Sequence, residues 1–313
     1  MREVPVYIFT GFMDSGKTTL VKETVFSEDF QISGPSLIIC CEEGDVEYDL
    51  EELKKHNISL EMVEEESGYT AEFLQEMQKK YHPHQVYIEF NGTWDAKTLL
   101  ETPIPRSWVL AQSISTVDAS TFDLYLTNMR TMILSQMVES DLIIFNRCND
   151  TTDRGKFRRA VKAQNRKGQI VYEKEDGTID DRPIDLPFDI SGKELEISEA
   201  DYAIWFLDCQ ENPKKYEGKI VSFQALIYNP ANLRKGIMVP GRFAMTCCEA
   251  DITFFGLACK YDQEDKIPHK SWVNLRAEIH VEYSKEYEDV GPVLYALSAE
   301  PCEAPKDELV YVS

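Results

Sequence analysis

The sequence predicts an α/β domain with a mostly parallel sheet, followed by a small, mainly-β domain of barrel-like character. Two observations predict this order. Up to about residue 190, short apolar segments alternate with amphipathic ones, which is typical of βαβ units whose sheet is covered on both faces. Beyond a turn-rich stretch at 180–192, a single helical segment is followed by strand-like segments without helices between them. We therefore expect two domains, residues 1–195 and 196–313.

The first domain contains strands and helices that alternate along the chain. Each strand prediction rests on a short apolar run, and each helix prediction rests on apolar residues at helical spacing. The predicted strands are 4–10, 35–41, 58–63, 85–90, 108–117, 141–145 and 169–172. The predicted helices are 17–25, 70–80, 122–139 and 153–164.

The second domain begins with one predicted helix, at 199–209. Strand-like segments separated by turns follow it, and this pattern is typical of an antiparallel barrel or sandwich. The predicted strands are 219–228, 236–239, 242–248, 253–260, 272–283 and 293–299.

Charge and hydropathy exclude several function classes. The 313 residues carry a net charge of −22, of which −14 falls on residues 1–190 and −8 on 191–313. Neither part has the basic surface that nucleic acid or an anionic membrane requires. Apolar runs such as 37–41 and 142–145 are far shorter than the roughly 20 residues of a membrane span. Because residues 1–5 lead directly into a strand, we expect no signal peptide, a cytoplasmic location and reduced thiols for the eight cysteines.

The strongest functional signal is the segment GFMDSGKT at 11–18, which matches G-x-x-x-x-G-K-[ST] between a predicted strand and a predicted helix. Such a loop points successive backbone N–H groups at one anion, so the first domain is predicted to have a P-loop NTPase fold. We expect Lys17 to bind the β- and γ-phosphates and the Thr18 hydroxyl to coordinate Mg²⁺. The predicted nucleotide contacts here are Gly11, Asp14, Ser15, Gly16, Lys17, Thr18 and Thr19.

A second motif bears on the choice of base. The predicted strand at 141–145 leads into a segment close to the Asn-Lys-x-Asp signature of GTP-binding proteins, with Asn146 and Asn149 as the predicted base contacts. Asn149 replaces an Asp and therefore offers one acceptor and an NH₂ donor instead of two acceptors. We expect GTP as the nucleotide with weakened guanine selectivity, unless Asp150 compensates. The motif disfavours an ATP-dependent kinase or ligase.

With both motifs located, residues 1–190 resemble the CobW-like GTPases, a P-loop group that includes nickel and zinc trafficking proteins. Five segments match in order along the chain: 11–19, 41–45 with Asp49 beyond it, 88–92, 116–119 and 141–149.

The resemblance implies roles for three further residues. Glu42 would lie in a switch segment near Mg²⁺ and the γ-phosphate, Glu89 would act on Mg²⁺ or its waters, and the Gly92 amide would read the γ-phosphate. Lys17, Glu42 and Glu89 are thus the predicted catalytic residues. For both glutamates a solvated acid at a strand end stays open as the alternative. No arginine finger is identifiable in the loop, so we expect slow intrinsic hydrolysis.

The cysteines depart from the family pattern. These GTPases usually carry a Gly-Cys-x-Cys-Cys motif, whereas the corresponding stretch 64–69 contains no cysteine. Cys40 and Cys41 lie directly before Glu42 instead, and alternation along a strand points their side chains to opposite faces. A metal site that uses Cys40 or Cys41 with Glu42, or simple core packing of both thiols, stays open.

The C-terminal part resembles the soluble domain of YcgQ-type proteins, which are partners of membrane permeases, over residues 215–313. The matching residues are Arg242, Cys247, Cys248, Ala250 and Asp251. Cys247 and Cys248 are candidate ligands for a soft metal such as Zn²⁺, and a structural cysteine pair is the open alternative.

The predicted function is therefore a GTP-binding and GTP-hydrolysing switch that couples Mg²⁺–GTP hydrolysis to metal trafficking, with Zn²⁺ as the favoured metal. The alternative is a nucleotide-gated scaffold for a membrane permease without metal cargo of its own. The expected partners are GTP, GDP and either a metal-dependent client protein or a permease. Nucleic acid and direct insertion into a membrane are excluded by the charge and the short apolar runs.

Overall fold

The computed structural model describes residues 2–42, 47–230, 233–246 and 252–312. The chain divides into two compact units, Met1–Arg154 with Lys167–Arg182, and Gly155–Arg166 with Pro183–Ser313. The predicted α/β class of the first part and the mainly-β class of the second are both confirmed. The boundary at residue 195 stays a proposal about where the chain separates into independently folding domains.

The first unit is built on one parallel sheet. Its strands are β1 (Val4–Thr10), β2 (Ser36–Cys40), β3 (Ile58–Met62), β4 (Gln85–Glu89), β5 (Trp108–Asp118), β6 (Leu142–Cys148) and β7 (Gln169–Lys174). They follow the order β3-β2-β4-β1-β5-β6-β7, and every neighbouring pair is parallel. All five residues of β2 and of β4 are buried, as expected for strands covered on both faces. Because the strands are parallel, the carboxyl ends of β1, β2, β4, β5 and β6 meet at one edge of the sheet.

The helices of this unit connect those strands. They are α1 (Lys17–Phe26), α2 (Leu50–Lys55), α3 (Ala71–Tyr81), α4 (Ala96–Glu101), α5 (Ala119–Asn128) and α6 (Arg130–Ser135). Asp49, Thr70 and Asp118 cap α2, α3 and α5 with side-chain oxygens that accept backbone N–H bonds. Helix α1 differs because its N-cap, Gly16, has no side chain to accept from the first turn. Its N–H groups therefore stay available for an anion.

The single helix predicted at 122–139 is wrong, since the structure has α5 and α6 in its place. Met129, with φ −137° and ψ 36°, interrupts the helical backbone between them. The backbone N–H of Met129 nevertheless donates to the carbonyl of Tyr125 at 2.7 Å, so the end of α5 is satisfied. The apolar periodicity continues through both helices, which is why the break escapes a pattern-based prediction.

The second unit contains α7 (Arg154–Gln164), whose first residue belongs to the first unit, and α8 (Tyr202–Glu211). Its strands are β8 (Glu194–Glu196), β9 (Ile220–Ile227), β10 (Ile237–Met238), β11 (Pro240–Met245), β12 (Ile252–Gly256), β13 (Cys259–Lys260), β14 (Trp272–Ser284), β15 (Asp289–Pro301) and β16 (Leu309–Tyr311). The sheet order is β10-β13-β15-β14-β9-β11-β12, with β8 beside β9 and β16 beside β11. Parallel and antiparallel pairs both occur, so the sheet is mixed.

Helix α8 supplies much of the core of this unit. Trp205 and Phe206 are almost completely buried, and their rings pack against Phe223 of β9 and Phe255 of β12. On α7, Arg158 and Lys162 form ion pairs with Glu211 of α8. These contacts place α7 with the second unit although the sequence assigns it to the first domain. Within the described ranges, no helix combines the length and the apolar character needed to cross a bilayer.

Candidate nucleotide site

The loop that follows β1 packs tightly against the ends of neighbouring strands. Gly11 and Gly16 have φ of 133° and 92°, a region that favours glycine. A Cβ atom on Gly11 would lie 2.2 Å from the backbone oxygen of Thr116 in β5. One on Gly92, just after β4, would lie 2.1 Å from the backbone oxygen of Gly11. Glycine is thus required at positions 11 and 92 because the two backbone segments approach each other too closely for a Cβ atom.

Lys17, the first residue of α1, has a side chain that is only 3% exposed. Its ammonium donates to the backbone oxygens of Gly11 at 2.9 Å and Phe12 at 3.0 Å. It also lies 2.9 Å from Oε2 of Glu42. A buried ammonium requires such partners because burial otherwise penalises the charge heavily.

Glu42 lies beyond the end of β2 and reaches the same point. Its Oε2 accepts the backbone N–H of Gly92 at 3.3 Å in addition to its ion pair with Lys17. Lys17 and the Gly92 amide are the two groups that the sequence assigned to the γ-phosphate. The carboxylate of Glu42 therefore occupies a position where two donors converge on one anionic oxygen.

The predicted Mg²⁺ residues also come together. The Thr18 hydroxyl donates to Oε1 of Glu89 at 2.5 Å, and Glu89 is 1% exposed at the end of β4. A threonine hydroxyl beside a carboxylate is the hard oxygen set that Mg²⁺ prefers, so these residues fit the ion. The solvated acid that stayed open for Glu89 is wrong, because the residue is buried.

Tyr48 is a contact that sequence reasoning missed. Its hydroxyl donates to Oε2 of Glu89 at 2.5 Å. Burial, together with the nearby Glu89 charge, raises the pKa of Tyr48, so the phenol stays protonated and donates to the carboxylate. Its position between the matched segment 41–45 and Asp49 is the only signal that the sequence offers.

The predicted base-recognition residues approach the loop from β6. Asn146 donates from Nδ2 to the backbone oxygen of Ser15 at 2.7 Å, and the Ser15 hydroxyl lies 2.8 Å from that of Thr116. Oδ1 of Asn146 is buried and has no hydrogen-bond partner among the described residues. A buried acceptor without a donor is costly, so this atom is suited to accept from a ligand.

Arg147, which stands where the signature has Lys, contacts the same loop. Its guanidinium donates to the backbone oxygen of Asp14 at 2.9 Å and forms an ion pair with Asp118. Burial works against the charge of Asp118, but the Ser120 and Arg147 hydrogen bonds hold its pKa below the usual range. Of the remaining predicted loop contacts, Asp14 and Thr19 are exposed.

Asn149 uses its acceptor locally. Its Oδ1 accepts from the backbone N–H of Thr151 at 2.8 Å and from the Thr151 hydroxyl at 2.7 Å. The NH₂ group therefore remains as its donor toward a base, while the guanine edge requires acceptors. Asp150 is 86% exposed and lies 3.4 Å from Arg182. Weakened guanine selectivity stays a prediction.

The candidate metal ligands Cys40 and Cys41 are both buried, and a metal site that uses either of them stays a prediction. Cys40 belongs to the hydrophobic cluster that contains Val21 of α1, whereas Cys41 belongs to a second hydrophobic cluster, which contains Phe90. The two side chains therefore point to opposite faces of the sheet. Burial and the neighbouring Glu89 raise the pKa of Cys40 to about 12, and burial also raises the pKa of Cys41. In the parts of the chain that the structure describes, no group of three or more His, Cys, Asp or Glu residues is arranged to hold a metal ion.

Cys247 and Cys248 lie outside the described residues, as do positions 43–46 of the predicted switch segment. The assignment of Cys247 and Cys248 as metal ligands stays a prediction.

Three features meet at the carboxyl edge of the parallel sheet: the uncapped start of α1, the buried lysine and the threonine–glutamate pair. Together they define a P-loop nucleotide-binding domain. The chain belongs to the CobW/HypB/UreG family, whose nucleotide-binding domain matches residues 5–172. Residues 186–312 match the DUF1980 C-terminal domain. No curated protein matches the chain.

Solved structures similar to the chain include a GTPase and a hydrogenase maturation factor. Zn(II)-bound YjiA GTPase from E. coli is 17% identical over 72% of this chain and 73% of its own, with a TM-score of 0.44. The hydrogenase maturation factor HypB from Archaeoglobus fulgidus is 17% identical over 56% of this chain and 82% of its own, with a TM-score of 0.40. At these TM-scores the assignment rests on the family match and not on the structural likeness.

The burial of Cys40 predicts low reactivity. With a pKa of about 12, its thiol is almost entirely protonated at pH 7.5, and the thiolate is the reactive form. Iodoacetamide should label Cys40 more slowly than the half-buried Cys302 by a factor of about ten or more. Peptide mapping by mass spectrometry measures both rates, with guanidinium-unfolded protein as the control in which they become equal. Equal rates in the folded protein would contradict the buried position.

Proposed function

We propose that this chain is a GTP-hydrolysing switch that couples its nucleotide state to metal handling, with Zn²⁺ as the cargo. The observation that carries the nucleotide part is the convergence of Lys17 and the Gly92 amide on one carboxylate oxygen of Glu42. Two donors fixed around a single anionic oxygen form an anion site, and the glycine-rich loop before α1 extends it.

The triphosphate would bind along the loop and the first turn of α1. Loop amides and Lys17 hold the β- and γ-phosphates, and the γ-phosphate takes the place of the Glu42 carboxylate. Mg²⁺, held by Thr18 and Glu89, supplies positive charge to the phosphate oxygens when it is bound. Tyr48 keeps Glu89 oriented through its hydrogen bond to Oε2.

Glu42 links the nucleotide to the segment after β2. A γ-phosphate and a carboxylate compete for the same donors, so GTP releases Glu42 and GDP lets it return. The switch is thus a competition between two anions.

Hydrolysis is expected to be slow without a partner. Arg147 contacts the loop, but its guanidinium is held by Asp118 and by the Asp14 carbonyl. An arginine that is engaged in this way does not stabilise charge on a transferring phosphoryl group.

Lys17→Ala should abolish detectable binding of Mg²⁺–GTP in isothermal titration calorimetry, because it removes the charge that neutralises the phosphates. Lys79→Ala removes an exposed lysine of α3 and serves as the matched control, with wild-type binding expected. Circular dichroism of both variants checks that they are folded. Wild-type affinity of a folded Lys17→Ala protein would disprove the site.

Glu42→Gln should tighten GTP binding by about tenfold, equivalent to about 1.4 kcal/mol. The substitution keeps the shape of the side chain but removes the negative charge that competes with the γ-phosphate for Lys17. GDP should gain less, since it has no γ-phosphate to displace Glu42. Fluorescent-nucleotide titration measures both affinities, and Glu52→Gln on the exposed face of α2 is the control. Unchanged GTP affinity, or equal gains for GTP and GDP, would contradict the competition.

Asn149→Asp should raise the preference for GTP over ATP by about tenfold or more, because one oxygen can serve Thr151 while the second accepts from guanine. Competition of unlabelled GTP and ATP against a fluorescent nucleotide gives the ratio. Asn149→Ala removes the turn contact without adding an acceptor and should leave the ratio low. A ratio that is unchanged in Asn149→Asp would show that this residue does not face the base.

The metal part of the proposal is supported by the resemblance to metal-trafficking GTPases, and Cys247 and Cys248 are its candidate ligands. Elemental analysis of purified protein, with and without GTP, should find stoichiometric Zn²⁺ that is lost in the Cys247→Ser, Cys248→Ser double variant. Unchanged metal content, with a membrane permease recovered alongside the protein, would support the scaffold alternative instead.

A further inference from the structure

The second unit contains a cavity that the nucleotide proposal does not use. It has a volume of about 420 Å³ and lies over strands β9, β14 and β15, beside the connection between β8 and α8. Pockets of roughly 300–1,000 Å³ are typical of small-molecule sites. The cavity is lined mostly by polar side chains, and Arg242 is among them.

Arg242 is the unusual residue of this cavity. It is 1% exposed, and its guanidinium lies 5.0 Å from the centre of the Trp272 ring. Nη2 donates to the backbone oxygen of Asp307 at 2.6 Å, while Nε is buried without a hydrogen-bond partner in the described parts of the chain. Burial lowers the pKa of Arg242, and Glu199 and Glu308 oppose that shift through their charges without forming a described ion pair with it. A buried guanidinium that lacks both a counter-ion and a partner for one N–H is costly unless an anion completes it.

The rim of the cavity has the opposite charge. Glu196, Glu199 and Glu300 are exposed residues that line it, and none of them forms a described ion pair. The second arginine of the lining, Arg276, is paired with Glu194 at 2.6 Å and therefore leaves the rim negative. A site with one buried cation and three carboxylates at its rim repels a dianion such as phosphate and favours a ligand that carries both charges.

We propose that this cavity binds a small zwitterion of the size of an amino acid or a dipeptide. The ligand carboxylate would accept from the Arg242 guanidinium, whose planar fork matches a carboxylate. The ligand ammonium would face the glutamates of the rim. Asn274 and Ser298 of the lining add neutral donors and acceptors. The proposal does not depend on nucleotide binding by the first unit.

The test uses the full chain and a panel of the twenty common L-amino acids with glycylglycine, each at concentrations up to about 10 mM, in thermal denaturation and calorimetry. At least one compound should raise the melting temperature and bind saturably. Its carboxamide, which lacks the carboxylate, and its N-acetyl form, which lacks the ammonium, should each bind at least about tenfold more weakly. Absence of binding by every member of the panel, or equal binding of either derivative, would overturn the proposal.

Two variants locate the site. Arg242→Gln should abolish binding of the identified compound while GTP affinity stays at its wild-type value. Arg242 is buried, so its replacement can disturb folding, and Glu199→Gln at the exposed rim is therefore the second variant. We expect Glu199→Gln to bind the compound about tenfold more weakly and, without ligand, to keep the wild-type melting temperature. Asp262→Asn, outside the cavity and exposed, is the charge-matched control. Wild-type binding by Glu199→Gln would overturn the proposal even where Arg242→Gln does not fold.

Discussion

The buried ammonium of Lys17 is the constraint on which the first unit depends. At 3% exposure it has lost almost all contact with water, so its charge must be stabilised by polar groups that the fold brings to it. Two of these are carbonyls of its own loop, and the third is Glu42, which arrives from the end of another strand. The strand order places β4 and β5 on either side of β1, and with them Glu89 and Thr116. Among the described residues Glu42 is the carboxylate paired with this ammonium. The proposed function follows from the exchange of that carboxylate for a phosphate.

Much of the parallel sheet could be predicted because its signals are local. The first strand is observed at the predicted residues, Val4–Thr10, and α1 begins at Lys17 as the motif requires. Short apolar runs identify buried strands well, since a strand covered on both faces has no polar alternation. The short helices α2 and α4 were missed, because six residues contain too little periodicity to be recognised.

The sequence predicts which residues belong to the candidate site but not how they contact one another. The motifs identified Lys17, Glu89 and Gly92, but the ion pair between Lys17 and Glu42 depends on how two strand ends meet. Tyr48 has no motif, and its bond to Glu89 is visible only in three dimensions. Likewise, the sequence shows that Asn149 has one acceptor, but only the structure shows that Thr151 consumes it. In the second unit, periodicity predicts helix α7 correctly and does not reveal that its partner is α8.

The most direct test of the competition between Glu42 and the nucleotide is a crystal structure of the full chain with Mg²⁺ and a non-hydrolysable GTP analogue. We expect a γ-phosphate oxygen within hydrogen-bond distance of both Lys17 Nζ and the Gly92 amide, with the Glu42 carboxylate displaced from both. A bound analogue that leaves the contacts of Glu42 with Lys17 and Gly92 intact would contradict it.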